Sequence, residues 1–147
     1  MRGFILCDMG CVAGDWIDSN GHMNVTAYMA LFDRGTNILL NRCGIGVCNG
    51  DLTMVAARIM IDHRREFMPG DCWEMWSGVI AASPTYLTIT HRLRSTKSVC
   101  TVCDIRGAPF SLETRGTSRF AEDCLAKLFQ LIVPGLVDRF DAVAGLK

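Results

Sequence analysis

The chain has 147 residues, of which 50% are hydrophobic, and this is enough for one buried core in a single domain, residues 1–147. Fifteen basic and fifteen acidic side chains cancel, so we expect neither nucleic acid nor an anionic membrane as a partner. The first apolar run is too short for a signal peptide, and no stretch approaches the ~20 apolar residues of a membrane span. We therefore expect a cytoplasmic protein.

Eight cysteines occur in the chain. For a cytoplasmic protein we expect them to be reduced thiols rather than disulfides. Cys100 and Cys103 have the spacing of half a zinc site or of a redox pair, but they fall on a predicted strand, where residues three apart point to opposite faces. No second such pair completes a ligand set in the sequence. We expect buried or half-buried thiols here and no metal site.

The amino-terminal part predicts a strand over residues 3–12, followed by an unusually polar turn. Asn20 and Gly21 form a turn dipeptide, and Asp18, His22 and Asn24 surround it. The turn leads directly into a helix, whose first N–H groups have no partner within the helix and can bind an anion or a carbonyl oxygen that gains negative charge. From the residues alone two interpretations stay open: Asp18 and Asn24 only cap the helix, with His22 on the surface, or the turn is a reactive site.

A long helix is predicted over residues 25–43, because apolar residues recur there at the helical period. Its stripe facing the core consists of Tyr28, Leu31, Phe32, Gly35, Ile38 and Leu39. Arg42 lies in the last turn, where a cation suits the helix dipole, and Gly44 follows at the position of a left-handed cap.

Four strands are predicted after the helix. Residues 52–67 alternate in character and predict a long strand that is apolar early and charged late. Pro69 and Gly70 predict a turn over residues 68–71. Further strands are predicted over residues 72–82, 85–93 and 98–106.

The carboxy-terminal part is less regular. Gly107, Ala108 and Pro109 predict a break, and residues 110–120 predict an irregular edge strand. Residues 121–132 predict a helix with Leu125, Leu128, Phe129 and Ile132 on one side, and residues 137–147 a short helix or tail. Residues 121–147 would thus be a small C-terminal helical extension. A sheet of this size can be covered by one helix only if it curls around that helix, which is an α+β arrangement.

Residues 16–24, WIDSNGHMN, resemble the signature of a branch of hotdog-fold acyl-CoA thioesterases that includes betainyl-CoA thioesterases, with Ser19 in place of the usual Tyr. Residues 61–66, IDHRRE, followed by Gly70 and Asp71, are similar to the second strand and turn of that branch, and residues 112–115 are a weaker match to its last strand. The resemblance covers roughly residues 3–120. It implies the hotdog fold, in which a curved antiparallel sheet wraps one long central helix.

The resemblance also implies roles for the residues of the turn. Asp18 matches the catalytic aspartate of the 4-hydroxybenzoyl-CoA type, and the backbone N–H of Val25 matches the amide that polarises the thioester carbonyl. His22 and Asn24 match the G-H-M-N part of the other branch and are grouped with the catalytic residues. Gly21 and the helix residue Tyr28 match the family motif as substrate-binding positions.

Other candidate residues have a second interpretation. Asp15 carries the same carboxylate as Asp18 but lies outside the match. We place His63 and Glu66 near the substrate, and the alternatives are a structural His on a strand and a solvated charge at its end. Arg64 and Arg65 could hold phosphates of coenzyme A, together with Arg92, Arg94 and Lys97, or could protect a solvated sheet edge.

The resemblance implies an acyl-CoA substrate, no cofactor and a homo-oligomer, a dimer or a dimer of dimers, with each active site between subunits. Two other functions stay open. A hotdog hydratase or dehydratase usually has an Asp and a His separated by four residues, whereas Asp18 and His22 are separated by three. A catalytically silent acyl-CoA-binding or sensing module has the same fold.

Overall fold

The computed structural model describes residues 2–143, with side chains to residue 141. The strands are β1 Ile5–Cys11, β2 Leu52–His63, β3 Cys72–Ala82, β4 Leu87–Arg94, β5 Val99–Ser111 and β6 Gly116–Thr117. The α-helices are α1 Val25–Arg42, α2 Glu122–Gln130 and α3 Arg139–Val143. Short 3-10 turns lie at Gly14–Trp16 and Val47–Asn49.

The strands form an antiparallel sheet in the order β1-β3-β4-β5-β2, with β6 paired to β5. The sheet curls around α1, and the apolar face of α1 packs in two core clusters, one toward each end of the helix. The predicted architecture, a curved antiparallel sheet around a long central helix, is confirmed. Strand β2 forms one edge of the sheet and β1 the other.

Helix α1 begins and ends close to the predicted residues. The side chain of Asn24 accepts a hydrogen bond from the Ala27 N–H at 2.9 Å, and Gly44 has φ +76°, as a left-handed cap requires. A Cβ on Gly35 would lie 2.8 Å from Met75 Sδ and 3.3 Å from His91 Nδ1, so a larger residue here would have to displace the Met75 side chain. The predicted stripe is buried except for Ile38, which is half-buried, while Leu40 is buried instead.

Strand β2 ends at His63 and does not reach residue 67 as predicted. The backbone N–H groups of Arg64 and Arg65 both donate to the Cys100 carbonyl, at 2.8 and 3.1 Å, and this ends the regular ladder. Phe67 then turns into the core, and its carbonyl accepts from the Met23 N–H at 2.9 Å. The charged end of the predicted strand is therefore a loop that lies against the polar turn.

The predicted break at residues 107–109 is wrong, because β5 continues to Ser111 and Pro109 pairs with Met54 of β2. The Pro109 carbonyl accepts from the Ser118 N–H at 2.9 Å, on the side away from β2. A residue in an antiparallel strand directs its nitrogen and its carbonyl to the same side. On that side β4 pairs with β5 only as far as Leu87 opposite Gly107, so the proline removes no bond to β4. The short strand β6 follows there, and Pro109 lacks only the return bond to Ser118.

The segment after α2 covers the face of the sheet opposite α1, which we call the outer face. Inward residues of β4 alternate with outward Thr88 and Thr90, and both threonines are fully buried. Val79 pairs with Ile132, and a Cβ on Gly78 would overlap Val133. The outer face of β3 and β4 is thus buried by the chain's own carboxy-terminal part, whereas much of β2 stays exposed. Residues 144–147 of the predicted tail lie outside the described residues.

Helix α2 is one turn shorter than predicted, and only part of its predicted apolar side is buried. Leu125 and Leu128 pack in the core together with Cys124, but Phe129 is 50% exposed and Ile132 is 36% exposed. The predicted helical period was correct, but the buried face of α2 is rotated about the helix axis from the predicted one, toward Cys124 and away from Phe129.

The expectation that all eight cysteines are thiols is wrong at two positions, because Cys11 and Cys72 form a disulfide. They are 61 residues apart and lie opposite each other in the register of β1 and β3. Cys100 and Cys103 are buried thiols as expected. Burial and the nearby Asp104 raise the pKa of Cys103 to about 12, so this thiol stays protonated at neutral pH.

Candidate active site

The polar turn is a tight loop closed by backbone hydrogen bonds. The Asp18 N–H donates to the His22 carbonyl at 3.1 Å, and the Gly21 N–H donates to the Asp18 carbonyl at 3.0 Å. Gly21 has φ +82°, a conformation that favours glycine. Ile17 and Met23 pair across the base of the loop. This closure fixes the direction in which the Asp18 side chain points from the backbone.

The Asp18 carboxylate is held on one oxygen. Its Oδ1 accepts from the Asn20 N–H at 2.8 Å, whereas its Oδ2 lies 4.0 Å from His22 Nδ1. No hydrogen bond to Oδ2 occurs within residues 2–143. The Asp18 side chain is 29% exposed, so this second oxygen belongs to a carboxylate that water can reach.

The amino terminus of α1 begins immediately after the turn. Asn24 is its N-cap, and the Asn24 N–H donates to the Trp16 carbonyl at 2.8 Å. Val25 is the first helical residue and is 63% exposed, and its N–H belongs to the first turn, which the helix ladder leaves without partners. The helix therefore presents positive partial charge beside Asp18.

A cavity of about 720 Å³ joins these parts. Its lining consists of Asp18, His22, Met23, Val25, Tyr28, His63, Arg64, Arg65 and Glu66. Of the catalytic and substrate-binding residues that the resemblance implied or that we placed near the substrate, only Gly21 and Asn24 are not part of this lining. Gly21 shapes the loop and Asn24 caps the helix, and a direct role for either in chemistry stays a prediction. Asp15 lies outside the lining.

One wall of the cavity is built by Tyr28 and His63, whose rings meet edge to face with centroids 4.6 Å apart. His63 Nδ1 lies 3.3 Å from the hydroxyl of Thr101, its cross-strand partner on β5. Burial raises the pKa of Tyr28 above its usual value, with the Phe67 backbone and the Thr101 hydroxyl acting in the opposite direction. Tyr28 is therefore a neutral hydroxyl at pH 7 and can donate a hydrogen bond to a ligand.

Two residues of this site were missed by the sequence analysis. Met23 forms part of the lining although it is 2% exposed, and Thr101 orients His63 from the next strand. The pairing of β2 with β5 is what places Thr101 there, and no local pattern around residue 101 indicates it.

The tryptophans do not line the cavity. Trp16 and Trp73 pack against each other with ring centroids 6.3 Å apart, and the Trp76 indole N–H donates to Glu74 at 2.8 Å. No aromatic cage of tryptophans for a cationic acyl group exists at this cavity. Of the five basic residues considered above, Arg64 and Arg65 line it and the other three do not.

No helix within residues 2–143 is both long enough and apolar enough to cross a membrane.

Solved structures with the same fold include the protein SAV2348 from Staphylococcus aureus in complex with CoA, with a TM-score of 0.81 at 16% identity over 91% of this chain and 89% of that one. A protein from Bacillus stearothermophilus that is predicted to be a thioesterase has a TM-score of 0.73 at 20% identity, over 86% and 98% of the two chains. PA5185 from Pseudomonas aeruginosa has a TM-score of 0.76 at 16% identity, over 89% and 95%. Identities this low show a shared fold alone.

Among curated proteins, none matches the sequence. The family model of the thioesterase-like superfamily, in contrast, matches residues 11–128, which include the polar turn, α1 and all of the sheet from β2 to β6. The chain belongs to the thioesterase-like superfamily.

Proposed function

We propose that the chain hydrolyses acyl-CoA thioesters to a carboxylic acid and free coenzyme A. The observation that carries the proposal is the convergence of the Asp18 carboxylate and the amino terminus of α1 on one cavity. A thioester whose carbonyl oxygen accepts from the Val25 N–H becomes more electrophilic, since the helix terminus stabilises the negative charge that develops on that oxygen.

Two chemical roles of Asp18 are compatible with this arrangement. In one, Asp18 removes a proton from a water that attacks the carbonyl carbon, and the C–S bond breaks as the tetrahedral intermediate collapses. In the other, the carboxylate attacks the carbon and forms an anhydride that water then hydrolyses. In both, the sulfur leaves as a thiolate, whose pKa near ~8.5 makes a strong general acid unnecessary.

The rest of the lining suits the other parts of such a substrate. Tyr28 and His63 can donate hydrogen bonds to the pantetheine amides, and Arg64 and Arg65 can pair with phosphates. Two acids and two arginines line the cavity, so its formal charge is balanced. The S. aureus protein of the same fold was solved with CoA, which supports a ligand of this type.

The test is release of free thiol from a panel of acyl-CoAs: short, branched, aromatic, long and betainyl. The variant Asp18→Asn keeps an oxygen that can accept from the Asn20 N–H, so the loop should keep its shape. We expect its turnover to fall by about 100-fold or more. Asp15→Asn is the matched control, since Asp15 lies three residues earlier and outside the cavity, and it should change turnover by less than about twofold.

The alternatives give different results in the same assay. A non-catalytic acyl-CoA-binding module would bind members of the panel and hydrolyse none of them. A hydratase would add water to an enoyl-CoA, which is read from loss of the conjugated thioester absorbance, and would release no thiol. Equal turnover by Asp18→Asn and the native chain would remove Asp18 from the mechanism.

We also propose that the chain forms a homodimer through β2. This edge strand has twelve residues and carries the exposed apolar residues Val55 and Ile59. An open, apolar edge is a template for pairing with a second chain. A monomeric mass by light scattering at micromolar concentration would contradict this proposal.

A further inference from the structure

A second cavity lies on the outer face of the sheet, between β4, β5 and the segment that leads to α3. Its volume is about 130 Å³, which exceeds the ~30 Å³ share of a water several-fold. The lining consists of Arg64, Ile80, Arg92, Val102, Asp104, Leu136, Val137 and Arg139. Three of these residues lie beyond residue 128, where the match to the family model ends.

The charges around this outer-face cavity are unequal. Arg139 Nε donates to Asp104 Oδ2 at 2.6 Å, and Arg139 Nη1 pairs with Asp62. One arginine thus neutralises part of two carboxylates. Arg64 and Arg92 have no ion pair with another group in residues 2–143. Counting Arg64, Arg92 and Arg139 against Asp62 and Asp104 leaves a formal charge of about +1 at the cavity.

Arg92 is the most unfavourably placed of the three arginines at this cavity, because it is desolvated and has no carboxylate of its own among the described residues. It is half-buried, its guanidinium lies over the Phe4 ring at 5.8 Å, and burial lowers its pKa, with Arg64 and Arg139 acting in the same direction and Asp104 and Asp62 opposing them. Placing a second and a third guanidinium near a desolvated one costs free energy unless an anion offsets them. A bound anion would remove that cost.

Two buried polar atoms of residues that line this cavity also lack hydrogen-bond partners. Asp104 Oδ1 accepts no hydrogen bond and Arg139 Nη2 donates none within the described residues. Both atoms are covered by protein, but their residues line the cavity. Once these side chains turn toward the cavity, an anion that carries a hydroxyl can satisfy both, since it can donate to a carboxylate and accept from a guanidinium. A phosphate has this chemistry, and guanidinium groups pair with it in bidentate geometry.

We propose that the outer-face cavity binds a phosphate group. Arg64 lines both this cavity and the one that contains Asp18, so the two sites adjoin. A coenzyme A whose thioester lies at Asp18 is therefore one source of the phosphate, and this source rests on the proposed function. A free phosphate compound is the other source.

Binding is measured by calorimetry with coenzyme A, 3′-dephospho-coenzyme A, adenosine 3′,5′-bisphosphate and inorganic phosphate. The test variant is Arg92→Gln, because Arg92 holds no carboxylate and its loss leaves the carboxy-terminal segment anchored. We expect its dissociation constants for phosphate compounds to rise about tenfold, with partial recovery in Arg92→Lys.

Two control variants test whether a change in affinity comes only from losing a positive charge or from loosening the carboxy-terminal segment. Arg106→Gln removes an arginine that holds the same segment through Asp138 and Asp141, at 2.6 and 2.8 Å, but does not line the cavity. Arg119→Gln removes an exposed positive charge between β6 and α2, outside both cavities. Both should change the dissociation constants by less than about twofold, and methyl chemical shifts of Ile80 and Val102 should move on binding in the native chain.

The outcomes separate the two sources. If Arg92→Gln weakens the binding of coenzyme A but not that of 3′-dephospho-coenzyme A, the cavity binds the 3′-phosphate of coenzyme A. Binding of inorganic phosphate or the bisphosphate that does not compete with coenzyme A assigns it to a free compound. Unchanged affinities in Arg92→Gln, or no binding by any phosphate compound, would overturn the proposal. None of these results depends on hydrolysis, so a failure of the proposed function would be seen separately.

Discussion

Replacing His91 tests the polar network buried between α1 and the sheet. Its ring is fully buried, with Nδ1 2.7 Å from the Ser77 hydroxyl and Nε2 2.9 Å from the Thr36 hydroxyl, and it stacks on Phe32 at 5.8 Å. A neutral imidazole has one donor and one acceptor nitrogen, so one hydroxyl donates to it and the other accepts. Burial lowers the pKa of His91 to about 3.

The sign of the pH effect follows from this pKa. In the unfolded chain a histidine binds a proton below pH ~6.5, whereas in the folded chain His91 stays neutral down to about pH 3. The unfolded state therefore binds more protons in this window, and stability falls as the pH is lowered through it. Since pH 5 lies about 1.5 pH units below the unfolded pKa of ~6.5, and each unit is worth ~1.36 kcal/mol, the free energy of unfolding is about 2 kcal/mol lower at pH 5 than at pH 8. This is a large part of a typical stability of ~5–15 kcal/mol.

The assay is urea unfolding of the native chain, His91→Gln and Thr36→Val at pH 8 and pH 5. Both variants should be less stable at pH 8, because each loses buried hydrogen bonds. His91→Gln should lose about 2 kcal/mol less than the native chain between the two pH values, since groups common to both cancel in the difference. Thr36→Val keeps the imidazole and should keep the full pH effect. An equal fall in the native chain and in His91→Gln would refute the reasoning.

Two further predictions concern how distant parts of the chain are joined. The Cys11–Cys72 disulfide closes a segment with a sequence separation of 61, so a reductant should lower stability by about 4 kcal/mol and should leave the Cys11→Ser/Cys72→Ser variant unaffected. Eight titratable thiols in the unfolded, unreduced chain, rather than six, would contradict the bond. Gly78→Ala should cost about 1–3 kcal/mol in urea unfolding, because the new Cβ overlaps Val133, and Val133→Ala in the same chain should recover part of it. Gly14→Ala is the neutral control, with open space around it, and equal losses in the two glycine variants would exclude the overlap as the cause.

The sequence predicted best those features that depend on neighbouring residues. The Asn24 cap and the turn over residues 68–71, where the Met68 N–H donates to the Asp71 carboxylate at 2.8 Å, each need only a few adjacent side chains. Strand β3 has the predicted bounds, and the helical period of α1 was correct. In these places local propensity and the final fold favour the same structure.

The errors arose where the environment is set by a strand or segment far along the chain. Pro109 was taken as part of a break, but β4 ends at Leu87 opposite Gly107, so the missing N–H costs no bond to β4. Cys11 and Cys72 face each other only through the register of β1 and β3. Thr101 reaches His63 only through the register of β2 and β5. Register is a tertiary property, and a pattern within one strand shows which face a residue takes but not its partner.

The composition of the outer face explains why the segment that covers it carries the charged residues Asp138 and Arg139. An antiparallel sheet with one solvated face carries polar residues there, and Thr88, Asp104 and Arg106 fit that pattern. Because the segment buries this face, each of these groups needs a partner other than water. Arg106 Nε donates to Thr88 at 3.1 Å and its guanidinium pairs with Asp138, while Arg139 pairs with Asp104.

The segment therefore covers the sheet with complementary charges rather than with apolar side chains alone. Replacing one partner leaves a charge that is buried and unpaired, which costs several kcal/mol, whereas replacing both removes that cost. A double variant such as Arg139→Leu/Asp104→Leu should consequently unfold at a higher urea concentration than Arg139→Leu alone, and a lower concentration would show that these charges are solvated. If the double variant also loses phosphate binding, the same charges that attach the segment also form the outer-face cavity.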